Sequence, residues 1–216
     1  MPVDFDLYLI TDRSQTGGRD LPTVVGEALA GGVRAVQLRE KDLSSRKLYE
    51  LALELRKLTE RHDARLIIND RIDIALAVNA DGVHLGKESI PIHRARRLLG
   101  PAGLIGISCH NQVSALTAEE KGADFITFGP VFFTPSKARY GQPVGVDKLE
   151  EVTRLLKLPV FGLGGINLHN APQVLNAHAH GIALISAIIA APEPSRAAQE
   201  MLAAIITAKA RTPVTG

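Results

Sequence analysis

Ala35-Val36-Gln37-Leu38-Arg39-Glu40-Lys41 follows a Gly31-Gly32 break and precedes a charged stretch of helical character. Val36 and Leu38 are apolar, and Gln37, Arg39 and Lys41 alternate with them. Residues two apart in a β-strand share a face. The pattern therefore aims an amide, a guanidinium and an ammonium the same way at a strand's C-terminal end. Taken alone, it describes either an edge strand with a solvated face or a strand of a closed barrel. A barrel interior accepts such groups only where it opens to water or to a polyanionic ligand.

Further apolar runs favour the barrel. With 35–39, the runs 7–10, 66–68, 83–85, 104–108, 125–128, 160–163 and 182–185 make eight. Most are unbroken, as in strands buried on both faces of a parallel sheet. Helical patterns separate them at 21–30, 44–61, 72–78, 92–99, 112–121, 147–156, 168–177 and 195–208. Pro22 stands near the start of the first, where proline is tolerated. Leu48, Leu51, Leu55 and Leu58 keep helical spacing in the second, with Ser44 or Ser45 as its cap. Such alternation predicts a TIM (β/α)8 barrel with short loops. A doubly wound sheet usually needs fewer strands, and no G-x-G-x-x-G follows the first one. Residues 1–216 read as one domain, with 211–216 a frayed tail.

Composition narrows the function classes. The net charge is +2 with no Lys/Arg cluster, and aromatic residues are 4% with no Trp, so neither a nucleic-acid tail nor a base-stacking platform is expected. The single Cys109 excludes an intramolecular disulfide and fits a reducing compartment. The first twelve residues carry three acids and no basic n-region, unlike a signal peptide. No apolar run approaches the ~20 residues of a membrane span. A cytoplasmic protein is expected, and apolar outer helices are compatible with a homodimer.

In such barrels chemistry sits at the C-terminal strand ends. Those ends carry Thr11-Asp12, Arg39-Glu40-Lys41, Asn69-Asp70, His84, Ser108 and His110, Thr134 to Lys137, Gly164-Gly165 and Ser186. The opposite ends offer mostly small or ordinary turn residues, such as Gly122-Ala123-Asp124. Asp70 reads either as a helix N-cap or as a hard carboxylate ligand for Mg²⁺. Thr134, Ser136 and Lys137 form a candidate phosphate clamp on a loop long enough to move. Gly164-Gly165 with Ser186 matches the phosphate site often built by the seventh and eighth loops. His110 is a candidate general acid or base, or a structural hydrogen-bonding residue. His84 reads as a satisfied core or rim residue. Cys109 is expected to point away from Ser108 and His110, into a barrel layer or under a helix.

These stretches, with Ile68-Asn69-Asp70-Arg71, Ala80-Asp81-Gly82-Val83-His84-Leu85-Gly86, Gly129-Pro130-Val131-Phe132 and Ile185-Ser186-Ala187-Ile188, resemble the thiamine phosphate synthase family, in order from about Leu7 to Ile188. The family also holds TenI-like proteins, some of them thiazole tautomerases. The resemblance implies a TIM barrel that joins hydroxymethylpyrimidine diphosphate to thiazole phosphate and releases pyrophosphate. It implies that Gln37, Arg39, Lys41, Asn69, Ser108 and Lys137 hold the pyrimidine diphosphate. Thr134, Ser136, Gly165, Ile185 and Ser186 would hold the thiazole phosphate, and Asp70 would bind Mg²⁺. The reaction it implies is dissociative: the bond to pyrophosphate breaks first, with Mg²⁺, Arg39, Lys41 and Lys137 neutralising the leaving group. No protein nucleophile is required.

One stretch departs from the family. Its usual Gly-Gln-Glu-Asp, ending in a second metal ligand, is Gly86-Lys87-Glu88-Ser89 here. Ser89 is a poorer ligand, which leaves Asp70, waters and pyrophosphate, with or without Glu88, to hold the ion. The alternatives are a TenI-like tautomerase using His110 and a non-catalytic thiazole-phosphate-binding regulatory barrel. Retention of Asp70 and of Gln37-Arg39-Lys41 favours the synthase.

Overall fold

The computed structural model describes residues 3–134 and 142–211. The strands are β1 (Leu7–Ile10), β2 (Ala35–Leu38), β3 (Arg65–Asn69), β4 (Gly82–Leu85), β5 (Leu104–Cys109), β6 (Phe125–Phe128), β7 (Val160–Leu163) and β8 (Gly181–Leu184). The helices are α1 (Leu21–Ala30), α2 (Ser45–Arg61), α3 (Ile72–Ala77), α4 (Ile92–Leu99), α5 (Gln112–Glu120), α6 (Gly145–Leu155), α7 (Ala171–Asn176), α8 (Ser186–Ile189) and α9 (Pro194–Arg211). All strands run parallel and β8 pairs back with β1, closing the sheet. Closure removes both edges, and the edge-strand reading of residues 35–41 falls with them.

Local sequence explains where the elements stop and start. Ser44 caps α2 by accepting from the Lys47 N–H, and Asn111 opens α5 through a reciprocal cap with Ser114. The start of α7 slips to Ala171 because Asn167 spends the preceding residues in a turn, its Oδ1 accepting from the N–H groups of His169 and Asn170. Helix α9 runs to Arg211, so the expected tail at that residue is still helical; 212–216 lie outside the described residues. Two elements were not expected: a 3₁₀ turn at Arg13–Gln15 and the four-residue α8.

Alternation along each strand sorts the side chains into two cores. Val36, Leu38, Leu66, Ile68, Val83 and Ile105 face outward and pack under the helices. Tyr8, Ile67, Leu104, Phe125 and Phe161 fill the interior together with Phe5. Phe5 stacks on Phe161 at 5.2 Å, and Tyr8 meets Phe125 edge-on at 5.4 Å. Burying each such ring contributes roughly 1.5–3 kcal/mol, so the lower barrel is a solid plug rather than a channel.

The N-terminal end of the barrel is richer in charge than its sequence suggests. Asp81, just before β4, accepts from the Leu66 N–H at 2.8 Å and pairs with Arg56 at 2.6 Å and Arg65 at 3.3 Å. Asp124, just before β6, repeats the device with the Ile105 N–H at 2.7 Å and Arg96 at 2.6 Å. Gly122-Ala123-Asp124 is therefore more than an ordinary turn: its carboxylate ties neighbouring strands to a helix.

Candidate active site

Above the aromatic plug the interior turns polar. Gln37, on β2, is buried and its Nε2 donates to Tyr8 Oη at 2.9 Å. Tyr8 Oη lies 3.4 Å from His84 Nδ1, and His84 Nε2 lies 3.0 Å from Ser108 Oγ and 3.4 Å from Thr127 Oγ1. Asn69 is paired in register with His84, and Ser108 with Thr127, so these side chains share one level near the strands' C-terminal ends. Burial, aided by the Arg39 charge, pushes the His84 imidazole down to about 3, and burial pushes the Tyr8 phenol up. Both stay neutral near pH 7. His84 is thus the satisfied interior residue expected; the part played by Tyr8 was not read from the apolar run 7–10.

Strand β2 ends at Leu38, so the strict two-residue alternation reaches Gln37 but not Lys41. Arg39 and Lys41 stand on the loop beyond, half-buried and exposed respectively. Among the described residues neither side chain forms a hydrogen bond or ion pair, although the Arg39 charge acts on Asp12 and His84. Between them Glu40 does the opposite. Its buried carboxylate accepts from Thr11 Oγ1 at 2.7 Å, the Arg13 N–H at 3.1 Å and Arg13 Nη1 at 3.2 Å. Thr11 Oγ1 in turn accepts from the Arg39 N–H at 2.9 Å. Glu40 therefore staples the β1 exit to the β2 exit and fixes the backbone that presents Arg39. A cavity of about 810 Å³ opens beside this staple, lined in part by Arg13, Arg39, Lys41 and Lys47.

Asp70 is not a helix cap. The capping position of α3 belongs to Arg71, and no side chain caps it. Asp70 instead adopts a left-handed φ of 64°, uncommon for a residue other than glycine, and its side chain is exposed. Arg71 beside it is engaged by Asp73 at 2.5 Å and Ser45 at 3.0 Å, which leaves the Asp70 carboxylate without a hydrogen bond. A hard anionic oxygen held this way suits Mg²⁺. Ser89 does not add a ligand of the same quality: its Oγ accepts from the Gly86 N–H at 2.8 Å and closes a local turn. Among the described residues no three His, Cys, Asp or Glu side chains converge on a metal position.

On the far side of the rim, the exits of β6, β7 and β8 interlock. The Val131 and Phe132 N–H groups donate to the carbonyls of Leu163 and Gly164 at 2.9 and 3.0 Å. A Cβ on Gly164 would strike Pro130, and one on Gly165 would strike the backbone of Phe132 and Phe133. Both glycines have positive φ, 102° and 65°. Their absent side chains thus admit the neighbouring loop, a packing reason alongside the ligand approach inferred from sequence. Ser186 opens α8 and is exposed, and Ile185 packs against the interior cluster. Thr134 closes the described part of the β6 loop; Ser136 and Lys137 lie outside the described residues.

His110 is exposed, with Nδ1 2.5 Å from the Gly129 carbonyl. Nδ1 must donate there, which leaves Nε2 as the ring's accepting atom. Cys109 is buried in the outer core, and burial pushes its thiol up to about 11. It points away from Ser108 as expected and is no nucleophile.

Residues 7–188 match the family model described as thiamine monophosphate synthase. The chain belongs to that family. A thiamine-phosphate synthase of Clostridium novyi is 47% identical over 189 residues, 88% of this chain and 93% of that one. A Geobacter sulfurreducens protein bearing the same name, with a provisional qualifier, is 62% identical over 201 residues, 93% of this chain and 94% of that one. The solved structure of the thiamine phosphate pyrophosphorylase from Pyrococcus furiosus superposes with a TM-score of 0.87 at 39% identity, covering 94% of this chain and 96% of that chain. Family membership agrees with the barrel and with the enzyme reading.

Proposed function

We propose that this chain is a thiamine-phosphate synthase that joins hydroxymethylpyrimidine diphosphate to thiazole phosphate and releases pyrophosphate. The carrying observation is the coexistence on one rim of cations left unpaired and a polar interior level beneath them. Arg39 and Lys41 suit a diphosphate; Gln37, Asn69 and Ser108 suit the edge of a pyrimidine; Gly165, Ile185 and Ser186 suit the thiazole phosphate on the opposite loops. Thr134, with Ser136 and Lys137 outside the described residues, is assigned to the same two ligands.

In the proposed reaction the C–O bond to the diphosphate breaks and its electron pair leaves with the diphosphate. The thiazole nitrogen lone pair then forms the new C–N bond, so nothing is oxidised or reduced. Arg39 and Lys41 stabilise charge where it develops, and their setting by Glu40 means little reorganisation during the reaction. The rim aligns the two rings. We assign Mg²⁺ to Asp70, with or without Glu88 beside Ser89; when bound, the ion would supply further neutralisation of the leaving group. His110, tied to Gly129, is assigned to orientation of the β5 and β6 exits, with Nε2 available for a proton. No helix of the described residues is long and apolar enough to cross a membrane. We place the protein in the cytoplasm, acting on small molecules with neither nucleic acid nor membrane.

The test is a two-substrate assay with and without Mg²⁺, repeated with Ser89→Asp. Pyrophosphate and thiamine phosphate in equal amounts, formed only when both substrates are present, is the expected result. Faster turnover by Ser89→Asp would show that the second ligand position limits the wild type. No product under any condition ends the proposal.

A further inference from the structure

Tyr8, Gln37, His84 and Ser108 arrive from four different strands and form one hydrogen-bonded line across the barrel. Gln37 Nε2 donates to Tyr8 Oη at 2.9 Å, so that oxygen is already an acceptor. Its own proton has one acceptor among the described residues, His84 Nδ1 at 3.4 Å. An imidazole that accepts at Nδ1 and is neutral carries its proton on Nε2. Burial keeps the ring neutral, since its ordinary titration is pushed down to about 3. Nε2–H then points at Ser108 Oγ, 3.0 Å away, in preference to Thr127 Oγ1 at 3.4 Å.

The direction matters because a hydroxyl is donor or acceptor depending on its neighbour. With its oxygen engaged by His84, Ser108 has its own proton to spare, and no acceptor for it stands among the described residues. Ser108 is half-buried at the end of β5, where the barrel opens. The reverse tautomer would take the Ser108 proton inward and turn a lone pair toward the ligand, where the hydroxyl could donate to neither a pyrimidine ring nitrogen nor a diphosphate oxygen. The ring has little freedom to move, because it lies against bare backbone: a Cβ on Gly106 would strike both His84 Nδ1 and the Phe125 ring.

We propose that Tyr8 and His84 are positioning residues that hold the Ser108 hydroxyl as an obligate hydrogen-bond donor toward the pyrimidine diphosphate. The proposal rests on the function assigned above and adds a cause for one of its contacts.

A kinetic double-mutant cycle tests it on the full chain. His84→Phe and Ser108→Ala should each lower kcat/KM by about ten- to a hundredfold, the range for loss of one aligned donor. The double variant should be no slower than Ser108→Ala alone, because His84 acts through Ser108. His84→Gln should recover most of the loss, since its amide offers N–H to Ser108 and C=O to Tyr8. Melting curves identify any variant that fails to fold; Tyr8→Phe then replaces His84→Phe in the cycle. Imidazole nitrogen shifts of the unliganded wild type should report Nε2–H for His84. Losses that multiply in the double variant, or an Nδ1–H ring, overturn the relay. Absence of wild-type turnover overturns the proposed function instead, and the nitrogen shifts then decide the tautomer by themselves.

Discussion

At the N-terminal end of the barrel, Arg56 and Arg65 share Asp81, Arg65 also meets Asp4 at 2.7 Å, Arg96 meets Asp124, and Lys209 meets Asp6 at 2.6 Å. At the C-terminal end, Arg39 and Lys41 have no such partner among the described residues, while Glu40 between them is saturated. Both ends carry charge, so charge alone does not separate scaffold from site. What separates them is satisfaction. Paired carboxylates and guanidiniums at one end fasten strands to helices; at the other, Arg13 and Arg71 are paired as well, but Arg39 and Lys41 keep their capacity for an anion that the chain itself does not supply.

The largest expected effect comes from the unpaired end. Arg39→Ala should cut turnover by about 10²–10³, the usual loss for one preorganised charge at a developing anion. Its melting temperature should stay within the scatter of surface substitutions, because no internal partner is orphaned. A melt lowered as much as the rate would move Arg39 into the scaffold.

The paired end should respond the other way round. Asp81→Asn removes the shared partner of Arg56 and Arg65. It should cost about 2–3 kcal/mol of unfolding free energy, below the 3–5 of a fully buried pair because these groups keep some contact with water. Activity per folded molecule should not change, and denaturant titration with active-site normalisation checks both. A variant as stable as wild type but inactive would mean that the two ends are coupled.

The smallest effect concerns Asp4. The Arg65 guanidinium beside it holds its carboxyl below the usual 3.8. A depressed acid adds stability that is present above its unfolded value and is lost as pH falls through the folded one. Asp4 is largely exposed, so the pair is worth only about 0.2–1 kcal/mol. Asp4→Asn should be slightly less stable than wild type at pH 7, and in thermal melts the difference should close as pH falls through the lowered value of the folded Asp4. A difference that persists in acid would assign the loss to packing.

Much of this was legible in the chain. The apolar runs located every strand to within one residue, because strands buried on both faces leave an unbroken signature. Helix α8 was missed because Ile185-Ser186-Ala187-Ile188-Ile189 continues the apolar run of β8 and is too short to show a helical period. The alternation at 35–41 correctly aimed Gln37 inward, but the strand stops before Lys41 and loop geometry takes over. Asp70 carried the signature of a cap, and only its left-handed backbone shows that it is not one. Tyr8 was hidden inside an apolar run: its hydroxyl matters through Gln37 and His84, 29 and 76 residues away, which no local pattern encodes. Asp81 and Asp124 were passed over for the same reason, since their arginines come from α2, β3 and α4, well separated in sequence.

The contrast between the two ends is tested most directly by titrating pyrophosphate into isotope-labelled protein and mapping the amide shifts. The account predicts changes concentrated at the strand exits, around Arg39, Lys41, Ser108, Gly165 and Ser186, with the surroundings of Asp81 and Asp124 unmoved. Shifts gathered instead around Arg56, Arg65 and Arg96, or spread evenly over the surface, would contradict it.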